Sequence, residues 1–350
     1  MAVGRDNDIN ETAAPPIVVI SAGDVRGIGP EVLLKALGRG EFEGALRPLI
    51  TGPVAAVKMQ ALEIWPDGVY PPLVAEALES VLDIALDGEF PAGIGTIKDL
   101  RKALAANEAL AGRWAGRAVE RAVELVANGR AHSLVTAPID KHALNLGGYS
   151  FPGHTEMLSH LAGDVEVSMM LAGGSLRVVP ATTHVALSKV SSMVSADLIA
   201  GQCRVITSGL RRVFGIERPR IAVCGLNPHL GDSGVAGDED QRVVAPAVDS
   251  ARAGGLDVQG PFPADTVFVR AAQGKFDAVL AMYHDQAMVA IKMHSFGDGV
   301  NITLGLPYVR TSPDHGTALD IAGLGLADEG SMTEAVRLAV AAARLEQADD

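Results

Sequence analysis

The chain predicts an α/β fold, and two features of the sequence carry that expectation. Short, continuous apolar runs recur and break into polar residues at their carboxyl ends, as strands buried on both faces do. Between them lie Ala-rich segments with the 3.6-residue apolar period of helices that pack one face on a core. The composition agrees: of 350 residues, 48% are hydrophobic but only 4% aromatic, which suits a core of Ala, Val, Leu and Ile packed helix on sheet. A chain of this length makes two domains of ordinary size or one large one.

Taken in order, residues 1–16, MAVGRDNDINETAAPP, are polar, lack an apolar signal-peptide core and read as a disordered leader. Residues 16–21 form a buried strand, and the turn GDVRGIGPE opens a helix through Ala36. Pro30 suits a first helical position and Glu31 complements the positive helix end. Such a turn can hold an anion with backbone N–H groups, although it is neither a Walker loop nor a GxGxxG fingerprint. From about 40 to 100 the pattern reads as short strands separated by Pro/Gly-rich loops, and 100–128 as one long helical region.

Residues 133–136 form a second buried strand, running into Asp140 and Lys141; the loop over 147–156 leads to a helix near Thr155. Residues 168–172 and 176–181 read as adjacent strands, 195–214 as a helix, and 220–226 as a strand that opens into Asn227-Pro228-His229. The most informative run is DAVLAMYHDQ, where the strand 278–282 breaks into Tyr283, His284, Asp285 and Gln286. After it come Lys292, a Gly-rich bend, Asn301, a short strand at 302–304, Arg310 and a last helix over 332–344. Ligands of open α/β sheets bind where such strands end. An imidazole, an ammonium, an amide and a guanidinium so close in sequence suit a small anionic substrate beside a metal.

The net charge of −13 argues against nucleic acid or an anionic membrane as partner. Two cysteines, Cys203 and Cys224, provide no disulfide framework, so a cytoplasmic setting is expected. No run of about 20 apolar residues exists to span a bilayer.

Nine histidines separate by context. His132, His142, His160 and His294 lack a partner motif. His184, His229 and His284 share one arrangement, in which an apolar strand and a turn are followed by the imidazole. Three imidazoles at three strand ends can converge as a catalytic Zn²⁺ site with an open position, and Co²⁺, Mn²⁺ or Ni²⁺ also suit nitrogen donors better than Mg²⁺ does. The separations, 45 (229 − 184) and 55 (284 − 229), equally allow three unrelated loop histidines.

TTH, GLNPH, GPFPADT, AMYHDQ, GVNITLGLP and RTSPDHGTALDIAG, with GDVRGIGPE, TAPIDK and FPGHTE, occur in the order in which the 4-hydroxythreonine-4-phosphate dehydrogenase (PdxA) family carries them. The resemblance covers roughly residues 17 to 345. It implies an isocitrate/isopropylmalate-dehydrogenase-like fold with α/β/α layers around a mixed sheet. One domain would hold 17–147 plus 285–350, the other 148–284. It further implies a homodimer with the active site between subunits, NAD or NADP as oxidant, and a divalent metal (zinc foremost; Mg, Mn, Co or Ni as alternatives). The metal ligands would be His184, His229 and His284, and the substrate contacts His154, Thr155, Lys292, Asn301 and Arg310. Asp314, His315, Gly316, Thr317 and Asp320 resemble the loop that holds the cofactor's adenosine. Asp265 is the candidate for orienting a metal-bound water or an imidazole, and Lys141 the candidate proton acceptor.

The implied reaction oxidises the secondary hydroxyl of a phosphorylated hydroxy acid of the 4-phosphohydroxy-L-threonine type, with decarboxylation after it. Two positions depart from the biosynthetic pattern: Val25-Arg26 stands where Pro-Ala is usual, and Asp140 where His is common. Facing the cleft, they would retune recognition toward 4-phospho-D-threonate or 4-phospho-D-erythronate. The branch that oxidises dihydrodiol dicarboxylates loses the His-Thr pair, which this chain keeps as His154-Thr155.

Overall fold

The computed structural model describes residues 14–295 and 297–349; most of the expected leader therefore lies outside the described residues. β1 (Ile17–Ser21) feeds α1 (Gly29–Gly38), with Pro30 and Glu31 in its first turn. After β2 (Arg47–Thr51) the chain forms α2 (Val54–Ile64), α3 (Pro72–Glu79) and α4 (Ile97–Ala105), where short strands were expected. Each helix is short and bounded by Pro or Gly, which hides its period. The usable signals were Pro72 at a first helical position and the Thr96/Asp99 pair, in which the Asp99 N–H donates to Thr96 Oγ1 at 3.1 Å. The helical region expected over 100–128 breaks at Asn107, whose side-chain oxygen accepts the Leu110 N–H at 3.3 Å and starts α5 (Glu108–Ala127).

β3 (Ser133–Thr136), α6 (Lys141–Leu146) and α7 (His154–Leu161) come next, then the hairpin of β4 (Ser168–Gly173) and β5 (Leu176–Pro180). α8 (Leu187–Met193) and α9 (Ala196–Phe214) lead to β6 (Arg220–Cys224). A π-helical turn at Asp240–Val244 precedes α10 (Ala245–Ala253), β7 (Asp257–Phe262), α11 (Ala264–Ala272) and β8 (Ala278–Ala281). α12 (His284–His294) contains Lys292 and ends on His294. β9 (Val300–Leu304), β10 (Val309–Pro313) and α13 (Gly330–Asp349) finish the chain.

The strands make one ten-stranded mixed sheet in the order β2-β1-β3-β10-β9-β4-β5-β8-β6-β7. The outer strands pair in parallel, while β10-β9, β9-β4 and β4-β5 pair antiparallel through the centre. Helices cover both faces, which is why β3, β8 and β10 are buried at every position. α6 packs very closely on α5: a Cβ on Gly112 would lie 1.7 Å from the Ala143 carbonyl oxygen, so glycine is required there.

Candidate active site

A cleft of about 580 Å³ opens where β3, β5, β8 and β10 end. At its floor lies Arg310, 1% exposed, on the central strand β10. Its Nε donates to Thr136 Oγ1 at 3.2 Å and its Nη1 to Thr303 Oγ1 at 2.8 Å. Only hydroxyls meet the guanidinium; no carboxylate pairs with it among the described residues. Burial pushes its pKa down to about 9, so it stays a cation at neutral pH at a cost in solvation. His154 Nε2, Asn301 Oδ1 and His315 Nε2 also line this cleft as buried polar atoms without a partner. Such atoms cost stability unless a ligand or water completes them. Together they give the cleft a cationic floor rimmed by hydrogen-bonding groups.

His154 opens α7, and burial, then Arg310, then Lys141, hold its imidazole well below its ordinary pKa of 6.5. As pH falls, the unfolded chain takes up a proton near pH 6.5 that the folded ring resists, so stability drops below that pH. His154→Gln is expected to flatten this acid arm in denaturant titrations between pH 5 and 7. An unchanged arm would place the titration elsewhere.

His184 and His284 stand at the ends of β5 and β8, their ring centroids 5.8 Å apart. Burial, then Lys141 and His284, lower the His184 pKa and favour the neutral, ligating form. His184 has φ +52° and His229 φ +50°, the left-handed region that side chains seldom occupy. Strain of this kind collects at ligand sites. The chain does not bring His229 to the other two: it lies exposed on the loop after β6, outside the cleft, and no three-residue metal group forms among the described residues. Two nitrogen donors facing an open cleft suit a divalent ion such as Zn²⁺ and leave it in need of a third protein ligand.

Asp314, His315 and Gly316 line the cleft beside Ser312. Asp314 is already committed to an ion pair with Lys292, so the latter reaches the site only through this carboxylate. Thr317 faces the glycine-rich turn, its carbonyl accepting the Ile28 N–H at 2.9 Å. Asp320 is exposed outside the cleft. Asp265 occupies the first turn of α11 and lines a separate groove, so the chain does not place it beside the histidines. Lys141 and Thr155 do line the cleft, and the sequence reading passed over Thr136, Ser168 and Gln202, which join them. The end of the TAPIDK strand pointed to Thr136; no local signal marked the other two.

Arg26 and Asp140 do not line the cleft as expected. The Arg26 side chain is 5% exposed and forks onto Asp24, with Nη2 to Oδ2 at 2.7 Å. It also meets Glu108 at 3.2 Å and Asp140 at 3.6 Å. Burial opposes its charge, but the three carboxylates prevail and its pKa rises. Removing Arg26 strands the Asp24 carboxylate, 1% exposed. Arg26→Ala is therefore expected to cost about 3–5 kcal/mol in thermal or chemical unfolding, and a loss below about 1 kcal/mol would contradict the buried-pair reading.

Residues 73–339 match the family described as Pyridoxal phosphate biosynthetic protein PdxA. A D-threonate 4-phosphate dehydrogenase of Cupriavidus necator is 44% identical over 335 residues, covering 92% of this chain and 96% of the relative. A 4-hydroxythreonine-4-phosphate dehydrogenase of Paracoccus denitrificans is 44% identical over 337 residues, covering 94% and 98%. The crystal structure of a 4-hydroxythreonine-4-phosphate dehydrogenase from Klebsiella pneumoniae superimposes with a TM-score of 0.80 at 38% identity, over 94% of this chain and 99% of that one. The chain belongs to the PdxA family and is an oxidoreductase on the isocitrate/isopropylmalate-dehydrogenase-like α/β fold.

Proposed function

We propose that the chain oxidises the secondary hydroxyl of a small phosphorylated hydroxy acid with NAD or NADP, and that decarboxylation follows. The supporting observation is the buried Arg310 guanidinium, unpaired with any carboxylate among the described residues and facing a cleft rimmed by orphan polar atoms. Arg310 and His154-Thr155 would receive the phosphorylated end, and Asn301 would orient the carbon skeleton by its free carbonyl oxygen. Lys141 would take the hydroxyl proton as hydride leaves for the nicotinamide. The 314–316 segment would hold the dinucleotide, with Thr317 anchoring it to the turn before α1.

His184 and His284 would hold a divalent ion together with His229 of the second subunit, and that ion would supply Lewis acidity at the substrate oxygens. Asp265 belongs to the same proposal, as a residue of the subunit interface. The sheet order supports the two-domain division: β2, β1, β3, β10 and β9 come from 17–147 plus 285–350, and β4 to β8 from 148–284. A cytoplasmic setting is supported by Cys203 and Cys224, both free and buried. No described helix is long and apolar enough to cross a membrane.

The homodimer has its own support. An apolar groove of about 810 Å³ runs between α11 and α12, where Val289 is 65% and Met293 84% exposed. Tyr283, Asp285 and Gln286 line this groove while His284, between them, lines the cleft. A second copy seated there would lie at the site's edge. Val289→Glu is expected to shift the protein from dimer to monomer in light scattering; a variant that stays dimeric moves the interface elsewhere.

Substrate choice is tested by supplying metal and NAD⁺ with 4-phosphohydroxy-L-threonine, 4-phospho-D-threonate or 4-phospho-D-erythronate and following NADH absorbance. With Arg26 and Asp140 withdrawn from the cleft, their departure from the biosynthetic pattern no longer argues for the sugar acids, and the amino acid is the expected substrate. Turnover of the sugar acids alone assigns the chain to their catabolism. Silence with all three, repeated with NADP⁺, defeats the proposal.

A further inference from the structure

We propose that Arg26 and Asp140 act as one unit, a partly buried ion pair outside the cleft that sets the position of Lys141 within it and thereby the fit of the reacting hydroxyl. The inference rests on the functional reading above for what Lys141 does, but not for where it is held. One oxygen carries the connection: Asp140 Oδ1 lies 3.6 Å from Arg26 Nη2 and accepts the Ala143 N–H at 2.7 Å. It is therefore at once the partner of a buried cation and the cap of α6.

That helix has six residues and begins with Lys141 itself. So short a helix has little intrinsic tendency to form, and its first turn depends on the cap. The close crossing of α5 at Gly112 pins the helix at Ala143 and Leu144, and Lys141 and its cap Asp140 lie on the N-terminal side of that contact. The loop that carries Arg26 is tied to the same place through its backbone, the Asp24 N–H donating to the Pro138 carbonyl at 2.9 Å. From there the Ile28 N–H reaches the Thr317 carbonyl at 2.9 Å, so one loop braces the lysine turn and the 314–317 segment together.

Lys141 has no ion-pair partner of its own among the described residues. It lines the same cleft as Arg310, His154 and the imidazoles of His184 and His284. A displaced first turn of α6 would move this charge relative to them. Neither Arg26 nor Asp140 touches the cleft, so both are positioning residues.

The test uses the full chain with metal and cofactor supplied. Asp140→Asn is the decisive variant, because Asn still caps Ala143 while losing the charge that faces Arg26. Arg26→Gln and the double variant complete a cycle. Each single change is expected to lower kcat on the accepted substrate about ten- to a hundredfold, with KM for the nicotinamide cofactor unchanged in Asp140→Asn, and the double is expected to be no worse than the poorer single. Arg26→Lys, which keeps the charge, should recover part of the loss. Wild-type kinetics in Asp140→Asn, or losses that multiply in the double, would overturn the proposal.

A second readout needs no turnover. Reductive methylation with formaldehyde, followed by peptide mass spectrometry, is expected to label Lys141 faster in Asp140→Asn than in the parent, with surface Lys189 unaffected. Identical labelling of Lys141 in both proteins refutes the brace. A parent inactive on all three phosphorylated acids would defeat the functional reading, and the labelling result would then decide the brace by itself.

Discussion

Arg310→Met will leave the unliganded protein about as stable as the parent, or more so, and will sharply weaken its hold on the phosphorylated substrate. The first half follows from the surroundings of the guanidinium, which is 1% exposed and meets only the hydroxyls of Thr136 and Thr303. A buried charge without a counter-charge loses more solvation than two neutral hydrogen bonds return, and replacing such groups by apolar ones of similar volume is often neutral or stabilising. The second half follows from the proposed role: in the complex the substrate phosphate would be the missing counter-ion. Losing one partner of a buried, hydrogen-bonded charge pair costs about 2–5 kcal/mol, or roughly thirtyfold to several thousandfold in affinity. Thermal unfolding with and without the phosphorylated substrate measures both. Marked destabilisation of the free protein with KM intact would make Arg310 a core cation and remove the main support for the anion site.

Mixing His184→Gln with His229→Gln will restore about a quarter of the parent activity, although each variant alone is nearly inactive. His184 and His284 face each other across 5.8 Å, whereas His229 stands on the loop after β6, away from both within one chain. If His229 completes the partner's site, a heterodimer of the two variants contains one intact site of two. Random exchange makes half the dimers mixed, hence about a quarter of all sites. A chelator should abolish parent activity and Zn²⁺ or Mn²⁺ restore it, and titration calorimetry should show metal affinity falling at least about tenfold in His184→Gln and His284→Gln. No recovery on mixing, with subunit exchange verified by mass spectrometry, would confine the ligands to one chain. Parent protein that binds no divalent ion would end the metal proposal.

Much of this was legible in the residues. Buried strands announce themselves by continuous apolar runs, and the seven segments at 16–21, 133–136, 168–172, 176–181, 220–226, 278–282 and 302–304 each coincide with a strand or its polar end, whereas the strand that carries Arg310 was not expected. Among the site candidates, Lys141, His154, Thr155, His184, His284, Asn301, Arg310, Asp314, His315 and Gly316 share one cleft because each lies on a strand of the same sheet or on the segment that follows one. The short helices α2, α3 and α4 were not legible, since eight to eleven residues between prolines and glycines show too few turns for a period to stand out.

By itself the sequence determined the α/β class, the strand ends that carry chemistry and the residue types gathered there, because apolar period and turn chemistry are local properties of the chain. Only the tertiary structure decided which of those residues meet. It left Arg310 without a carboxylate among the described residues and committed Lys292 to Asp314. It moved Asp265 to a separate groove, set His229 apart from the other two histidines, and drew Arg26 onto Asp24, Glu108 and Asp140. The reason is that charge pairing and burial depend on distances between segments remote in sequence, and those distances are set by the order in which the strands pack.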